Sequence, residues 1–162
     1  MRYRRPGLLL LASTLLLAAA CSERDDRANG GGESLAEAAT LATPGRTPAA
    51  EGASVAFVSP RDGDVVASPF RVEFTVSGME LVPAGTEAPF SGHHHILIDT
   101  GLPDLDLPVP ADEHHLHFGD GSSSTELSLP PGRHTLQLLF ADHLHIPHDR
   151  PVYSERITVT VE

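Results

Sequence analysis

From about position 53 onward, the chain consists of short runs of β-branched and other apolar residues, separated by prolines, glycines and polar turns. No segment keeps a helical period over about ten residues, whereas several alternate apolar and polar side chains as half-buried strands do. Phe70 to Val76 and Ile157 to Val161 alternate most strictly. The pattern therefore predicts an all-β fold.

Turn residues divide this region into about seven predicted strands, a rhythm that is typical of a β-sandwich. Pro60 to Gly63 and Pro130 to Gly132 are predicted turns, and the proline-rich segment 100–112 is a predicted loop. Because Cys21 is the only cysteine, we expect an antiparallel, immunoglobulin-like sandwich without a disulfide. Six of these strands are predicted at residues 55–58, 70–76, 94–99, 124–129, 134–141 and 156–161.

The first 20 residues resemble a signal peptide, with an arginine-rich start, an apolar run from Leu8 to Leu17 and three alanines. The apolar run is too short to span a bilayer. Cys21 follows directly and resembles the lipid acceptor of bacterial lipoproteins, and Ser22 after it resembles outer-membrane sorting. The alternative is an ordinary signal cleaved near Ala20. We expect a lipid anchor at Cys21 in the bacterial cell envelope, on the periplasmic or surface side, with the outer membrane favoured.

Residues 22–52 are mainly small, polar and charged, and Leu35 and Leu41 are their only large apolar side chains. Such a stretch cannot bury a core, so a flexible tether is predicted. The predicted organisation is a signal peptide over residues 1–20, a lipidated N-terminus and disordered tether over 21–52, and a β-sandwich domain over 53–162.

Acidic residues dominate the chain after the predicted signal peptide. Eight arginines, no lysine and 22 acidic residues leave a net charge of about −14 when the histidines are neutral. This charge disfavours nucleic acid and anionic membrane surfaces as partners. We therefore expect no nucleic-acid partner, membrane attachment only through lipid on Cys21, and metal cations or soluble molecules as ligands. The sequence identifies no protein partner.

All ten histidines lie between positions 93 and 148, mostly in pairs spaced two residues apart. Side chains with this spacing share one face of a strand, so each pair can reach a single ion. Pairs from neighbouring strands could then complete one coordination shell. The pairs are His93 with His95, His115 with His117, and His143 with His145.

A neutral imidazole is a good ligand for zinc or copper, and an ordinary histidine is mostly neutral at pH 7. Met79 is the only methionine of the predicted domain, so Cu(II) or Zn(II) is favoured over Cu(I). The same alternation predicts that His94 points into the core. Structural or ligand-orienting roles are predicted for His94, His134, His148 and Asp99. The predicted metal ligands are His93, His95, His117, His143, His145 and Asp142.

An ordered set of motifs carries a family resemblance: GHHHILID from Gly92, HFG from His117, PGRHTLQL from Pro131 and DHLH from Asp142. Together they resemble the bacterial DUF4399 domain, an exported domain of unknown function, over roughly residues 54–162. That family has no established activity, so the resemblance ranks the histidines without assigning their role. It implies a polar signature of His93, His94, His95, His117, His134, Asp142, His145 and His148.

Three classes of function are compatible with these features. The leading hypothesis is an exported lipoprotein that binds Cu(II) or Zn(II) for buffering or delivery. The second is a non-catalytic interaction module whose histidines are structural or sense pH. The third is a metalloenzyme, because His115-Leu116-His117 in a β-sandwich resembles copper/zinc superoxide dismutases. Those enzymes typically contain an internal disulfide, which this domain cannot form, so a non-enzymatic role is expected.

Overall fold

A computed structural model describes residues 45–162, which form two β-sheets and contain no helix. The predicted all-β sandwich is therefore confirmed. The predicted signal peptide, Cys21 and most of the predicted tether lie outside the described residues. The strands are β1 (Ser54–Ser59), β2 (Val65–Val66), β3 (Phe70–Ser77), β4 (Glu80–Leu81), β5 (Ser91–Ile98), β6 (His115–His117), β7 (Ser124–Leu127), β8 (Gly132–Ala141), β9 (Pro147–Tyr153) and β10 (Ile157–Val161).

The small sheet has the order β1-β3-β7, and the large sheet has the order β2-β10-β8-β5-β4. In the large sheet, β6 also pairs with β5, and β9 also pairs with β8. The predicted antiparallel pairing holds except where β2 joins β10 and β4 joins β5, which are parallel contacts. Both exceptions involve two-residue strands, which are too short to show an alternating pattern in the sequence.

The main core lies between the two sheets. Val72 and Phe74 from β3 and Ile96, Leu138 and Phe140 from the large sheet are almost completely buried there. Along β3 these buried residues alternate with the polar Arg71, Glu73 and Thr75, as strand geometry requires. Burial of these large side chains supplies the main driving force for folding.

A second, smaller apolar cluster covers the outward face of the large sheet. Leu97 from β5 and Leu139 and Ala141 from β8 pack there against Val109, which belongs to the loop between β5 and β6. Strand β5 is therefore buried on both faces, and each of its eight residues is inaccessible to solvent. Histidines on either face of β5 are consequently buried as well.

The chain begins to pack before the predicted domain boundary at position 53. Ala49 is buried in the main core, and Pro48 forms an isolated parallel bridge with Asp149. The Arg46 guanidinium donates a hydrogen bond to the Pro147 carbonyl over 3.0 Å. These contacts use backbone groups, one arginine and one alanine, so the apolar content of the segment does not reveal them. None of the described residues forms a helix that could cross a membrane.

Candidate metal centre

Four imidazole rings meet on the outward face of the large sheet. His93 and His95 come from β5, His117 comes from β6, and His145 comes from the turn between β8 and β9. The centroids of every pair of these rings lie between 4.7 and 5.9 Å apart. We call this set the four-histidine cluster.

Strand register brings the first three rings together. His95 lies opposite His117 in the antiparallel pairing of β5 with β6, so both side chains share a face. His93 lies two residues away on that same face of β5. A glycine makes room for the third ring, because a Cβ atom added at Gly119 would lie 2.4 Å from Cε1 of His117. The spacing of the histidines, the register of β5 with β6 and the glycine at position 119 together explain this part of the cluster.

The fourth ring depends on a turn that Asp142 organises. One oxygen of the Asp142 carboxylate accepts hydrogen bonds from the Leu144 amide over 2.9 Å and the Ile146 amide over 3.0 Å. His145 between them has a φ of 66°, in the left-handed region that non-glycine residues rarely adopt. Its carbonyl accepts a hydrogen bond from the Val109 amide over 2.9 Å. The turn is thus fixed from both sides, and its conformation directs His145 toward the cluster.

The cluster contains buried nitrogen atoms without hydrogen-bond partners. Among the described residues, neither ring nitrogen of His93 has a partner, and Nδ1 of His95 has none. Buried polar atoms in proteins are normally hydrogen-bonded, and leaving one unpaired costs roughly 1–3 kcal/mol. Ligand atoms of His93, His95 and His117 all lie within 4.8 Å of one another. A cation held between these rings would satisfy nitrogen atoms that are otherwise unpaired, so the residues fit a metal ion.

Burial and crowding lower the pKa values of three rings of the cluster. Burial, together with repulsion from the neighbouring His145 and His117, lowers the pKa of His93 to about 4. Burial, together with repulsion from the other rings of the cluster, lowers the pKa of His95 to about 2. The pKa of His117 is lowered by the same two causes. Neutral rings have the free lone pair that a metal requires, so deprotonation does not oppose binding near pH 7.

Two predicted ligands do not join the four rings. Asp142 is buried, and its oxygens accept hydrogen bonds from the turn and from the Thr47 hydroxyl, which lies 3.1 Å away. His143 lines a separate cavity of about 460 Å³ together with Phe90 and His148. The expectation that His143 and His145 share a strand face is wrong, because both residues belong to the turn between β8 and β9.

His94 and His148 are buried outside the four-histidine cluster. The ring of His94 packs edge-on against Phe74 and Phe140, with centroid distances of 4.8 and 5.0 Å, as alternation along β5 predicts. Neither ring nitrogen of His94 has a partner among the described residues, and burial lowers its pKa to about 4. Nδ1 of His148 lies 2.8 Å from the Thr47 hydroxyl oxygen, and burial lowers the pKa of His148.

His134 and Asp99 form a pair at the other end of β8. Nδ1 of His134 lies 2.6 Å from an Asp99 oxygen, and Nε2 lies 2.9 Å from the Pro130 carbonyl oxygen. Both partners only accept hydrogen bonds, so the ring satisfies both when it is doubly protonated. The hydrogen bond with Asp99 is the main cause that raises the pKa of His134. This geometry makes the pair a structural link between β8 and the end of β5.

The prediction that His115 and His117 reach one ion together is wrong, because Nδ1 of His115 lies 2.7 Å from an Asp112 oxygen and its ring does not join the cluster. Sequence reasoning did not predict the roles of two further residues that shape this region. Gly119 is required by the His117 ring, and its position two residues after that histidine is a usable signal. Thr47 contacts Asp142 from a segment of low complexity, where no pattern distinguishes it.

The fold and the site together define an all-β domain with a buried histidine cluster on the outside of its larger sheet. A family model described as a domain of unknown function (DUF4399) matches residues 72–162, which is more than half of the chain. The chain therefore belongs to the DUF4399 family. The match begins at Val72 rather than near position 54, and it includes all ten histidines. Searches among curated proteins and among solved structures found no match.

Proposed function

We propose that this domain binds one Cu(II) or Zn(II) ion through the four-histidine cluster and buffers or delivers that metal as an exported, lipid-anchored protein. One observation carries the proposal. Rings from three separate segments of the chain converge on one point, where several buried nitrogen atoms have no partner among the described residues.

The composition of the cluster supports this choice of metals. Its donors are imidazole nitrogens, which suit Zn(II) and Cu(II), whereas soft Cu(I) prefers sulfur. Four rings also match the four ligands of a structural zinc site. His93 and His95 are buried, whereas His117 is exposed and His145 is half-buried. An ion would therefore reach the cluster from the side of His117 and His145.

When no cation is bound, the crowded rings of the four-histidine cluster should lower the stability of the domain. Each unpaired buried nitrogen costs free energy, and ring-to-ring contacts do not compensate for lost hydration. A ligand that binds only the folded state stabilises that state by mass action. Adding Cu(II) or Zn(II) near pH 7 should therefore raise the melting temperature of the protein.

Differential scanning calorimetry at a series of pH values tests the proposal. The metal-induced rise should fade between about pH 6, where ordinary imidazoles protonate, and the pKa of about 4 to which burial lowers His93. Changing His95, His117 or His145 to alanine should each remove most of the rise. His114→Ala is the matched control, because the His114 ring lies against the Ile98 carbonyl and outside the cluster.

A wild-type protein with no metal-dependent rise and no stoichiometric metal after dialysis would contradict the proposal. The histidines would then be assigned to a non-catalytic interaction module. Export and anchoring are tested separately, since Cys21 lies outside the described residues. Cys21→Ser should abolish lipid labelling and remove the protein from the membrane fraction, whereas continued membrane association would contradict the anchor.

A further inference from the structure

The turn that carries His145 is tied to the segment that precedes the domain. The Thr47 hydroxyl donates a hydrogen bond to one oxygen of Asp142 over 3.1 Å. The other oxygen of Asp142 accepts the amides of Leu144 and Ile146, on either side of His145. A single carboxylate therefore links Thr47 to the backbone that positions a ring of the four-histidine cluster.

The segment around Thr47 is held firmly against β9. We call residues 45–50 the N-terminal strap. The Asp149 amide donates to the Thr47 carbonyl over 2.8 Å, and the Ala49 amide donates to the Asp149 carbonyl over 3.1 Å. Ala49 is only 2% exposed, and the Arg150 guanidinium donates to its carbonyl over 3.0 Å. The strap is thus an extension of the sandwich rather than a loose end.

The Thr47 hydroxyl both donates and accepts a hydrogen bond. It has one proton, which it donates to Asp142, so its oxygen accepts the Nδ1 proton of His148 at 2.8 Å. His148 is 1% exposed and stacks on Phe140, which fixes its ring from behind. The hydroxyl is therefore clamped between two buried groups, and its position is determined by the core.

The hydrogen bonds of Asp142 and Thr47 are needed because the backbone of His145 has an unfavourable conformation. In the left-handed region the Cβ atom of a non-glycine residue lies too close to the following carbonyl oxygen, so the surrounding structure must impose that conformation. Asp142 imposes it through the two flanking amides. Asp142 is itself buried, and the Thr47 hydroxyl is the side-chain donor that holds its second oxygen.

We propose that Thr47 and Asp142 are positioning residues for His145, so that the N-terminal strap is part of the metal site. This inference rests on the proposed metal binding. Docking of the strap and binding of the metal then favour each other, and the linkage is reciprocal. Displacing the strap, which forms the end of the predicted tether, would weaken metal binding by the same factor by which metal binding stabilises the docked strap.

The test compares Zn(II) affinity, measured by chelator competition, in the full chain and its variants. Thr47→Val removes the hydroxyl at nearly constant size and should weaken Zn(II) binding about tenfold, as is typical for loss of a group that orients a ligand. Thr47→Ser should restore wild-type affinity. Thr75→Val is the matched control, because Thr75 is exposed on β3 and its hydroxyl makes only a 3.5 Å contact with the Val76 carbonyl.

A spectroscopic signature separates positioning from general destabilisation. With one equivalent of Cu(II), the nitrogen hyperfine pattern of the Thr47→Val protein should shift toward that of the His145→Ala protein. Thr47→Val should also cause no further loss of Zn(II) affinity in the His145→Ala background, because both changes remove the same ligand.

Different outcomes test the role of the N-terminal strap and the proposed metal binding separately. If the wild-type chain binds metal but Thr47→Val changes neither affinity nor spectrum, the role of the strap is overturned and the metal site stands. An equal loss of affinity with and without His145 also overturns it, since Thr47 would then act through the fold alone. A wild-type chain that binds no stoichiometric metal overturns both.

Discussion

The Nε2 atoms of His117 and His145 lie 3.1 Å apart, although 28 positions separate the two residues in the chain. Two imidazole lone pairs at this distance repel each other unless a proton lies between them or both face a common cation. This pair forms the more exposed side of the four-histidine cluster, opposite the buried rings of β5. A bound ion would therefore replace a proton that the two Nε2 atoms share.

The His117 ring packs closely on Gly119, so a substitution of this glycine can test the site without changing any histidine. A Cβ atom at Gly119 would lie 2.4 Å from Cε1 and 2.9 Å from Nε2 of His117, well inside contact distance. Gly119→Ala should therefore displace the His117 ring and remove most of the metal-induced rise in melting temperature. The change should alter the melting temperature of the metal-free protein much less, because His117 is exposed.

Gly101→Ala is the matched control for this substitution. Its added Cβ would make only an ordinary contact, 3.8 Å from the Arg156 guanidinium. Calorimetry with and without Zn(II) should show a normal metal response in the Gly101→Ala protein. Full metal response in the Gly119→Ala protein would mean that His117 is not a ligand.

The buried ring of His94 should make the stability of the domain sensitive to acid even when no metal is bound. Burial lowers its pKa from 6.5 to about 4, so between these values the unfolded chain binds a proton that the folded domain does not. The stability due to a neutral His94 is present above about pH 6.5 and is lost as pH falls toward 4. Across that range the loss is on the order of 3 kcal/mol, since one pKa unit corresponds to about 1.4 kcal/mol.

Urea denaturation in the presence of a chelator measures this effect at pH 7 and pH 4.5. The His94→Leu protein should lose less free energy of unfolding between the two pH values than the wild type, because leucine has no charge to bury. His114→Leu should keep the wild-type difference, since the His114 side chain is 49% exposed. An unchanged pH dependence in the His94→Leu protein would show that His94 titrates normally.

Alternation along the strands explains how much of the site could be predicted. It places His93 and His95 on one face of β5 and His94 on the other, and it pairs His117 with the outward face. It fails for His143 and His145, because a turn with a left-handed residue has no two-residue period. The pattern could not indicate which of the two reaches the cluster.

Long-range contacts account for the rest. Val109 covers the outward face from a proline-rich loop, and Thr47 reaches Asp142 across 95 positions of sequence. Neither segment forms a strand of either sheet, so neither has an alternating pattern. The two-residue strands β2 and β4 are too short to show one. Local periodicity therefore predicts the two-sheet architecture better than the borders of the site.

The pair formed by Asp99 and His134 lies outside the cluster and should respond to pH in its own way. The hydrogen bond with Asp99 raises the pKa of His134 above 6.5, so its stabilisation is complete below pH 6.5 and is lost as pH rises through the folded-state value. Burial alone would raise the pKa of Asp99, but hydrogen bonds from His134 and the Thr135 amide outweigh it and lower the pKa below 3.8. Its contribution is therefore lost as pH falls through that lowered value. The pair should stabilise the domain most between about pH 4 and pH 6.5.

His134→Ala should consequently lower the free energy of unfolding by roughly 1–3 kcal/mol at pH 6, and by less at pH 9, because the stabilisation by the protonated ring is lost as pH rises. Because Asp99 also accepts the Thr135 amide over 2.7 Å, Asp99→Asn alone would mix two effects. A double-mutant cycle of the two substitutions at both pH values isolates the coupling between the side chains.

The metal-induced rise in melting temperature should persist in the His134→Ala protein, since this ring bonds Asp99 and Pro130 rather than the cluster. A coupling energy that is equal at pH 6 and pH 9 would show that the pair is not ionic, and loss of the metal response would place His134 in the metal site.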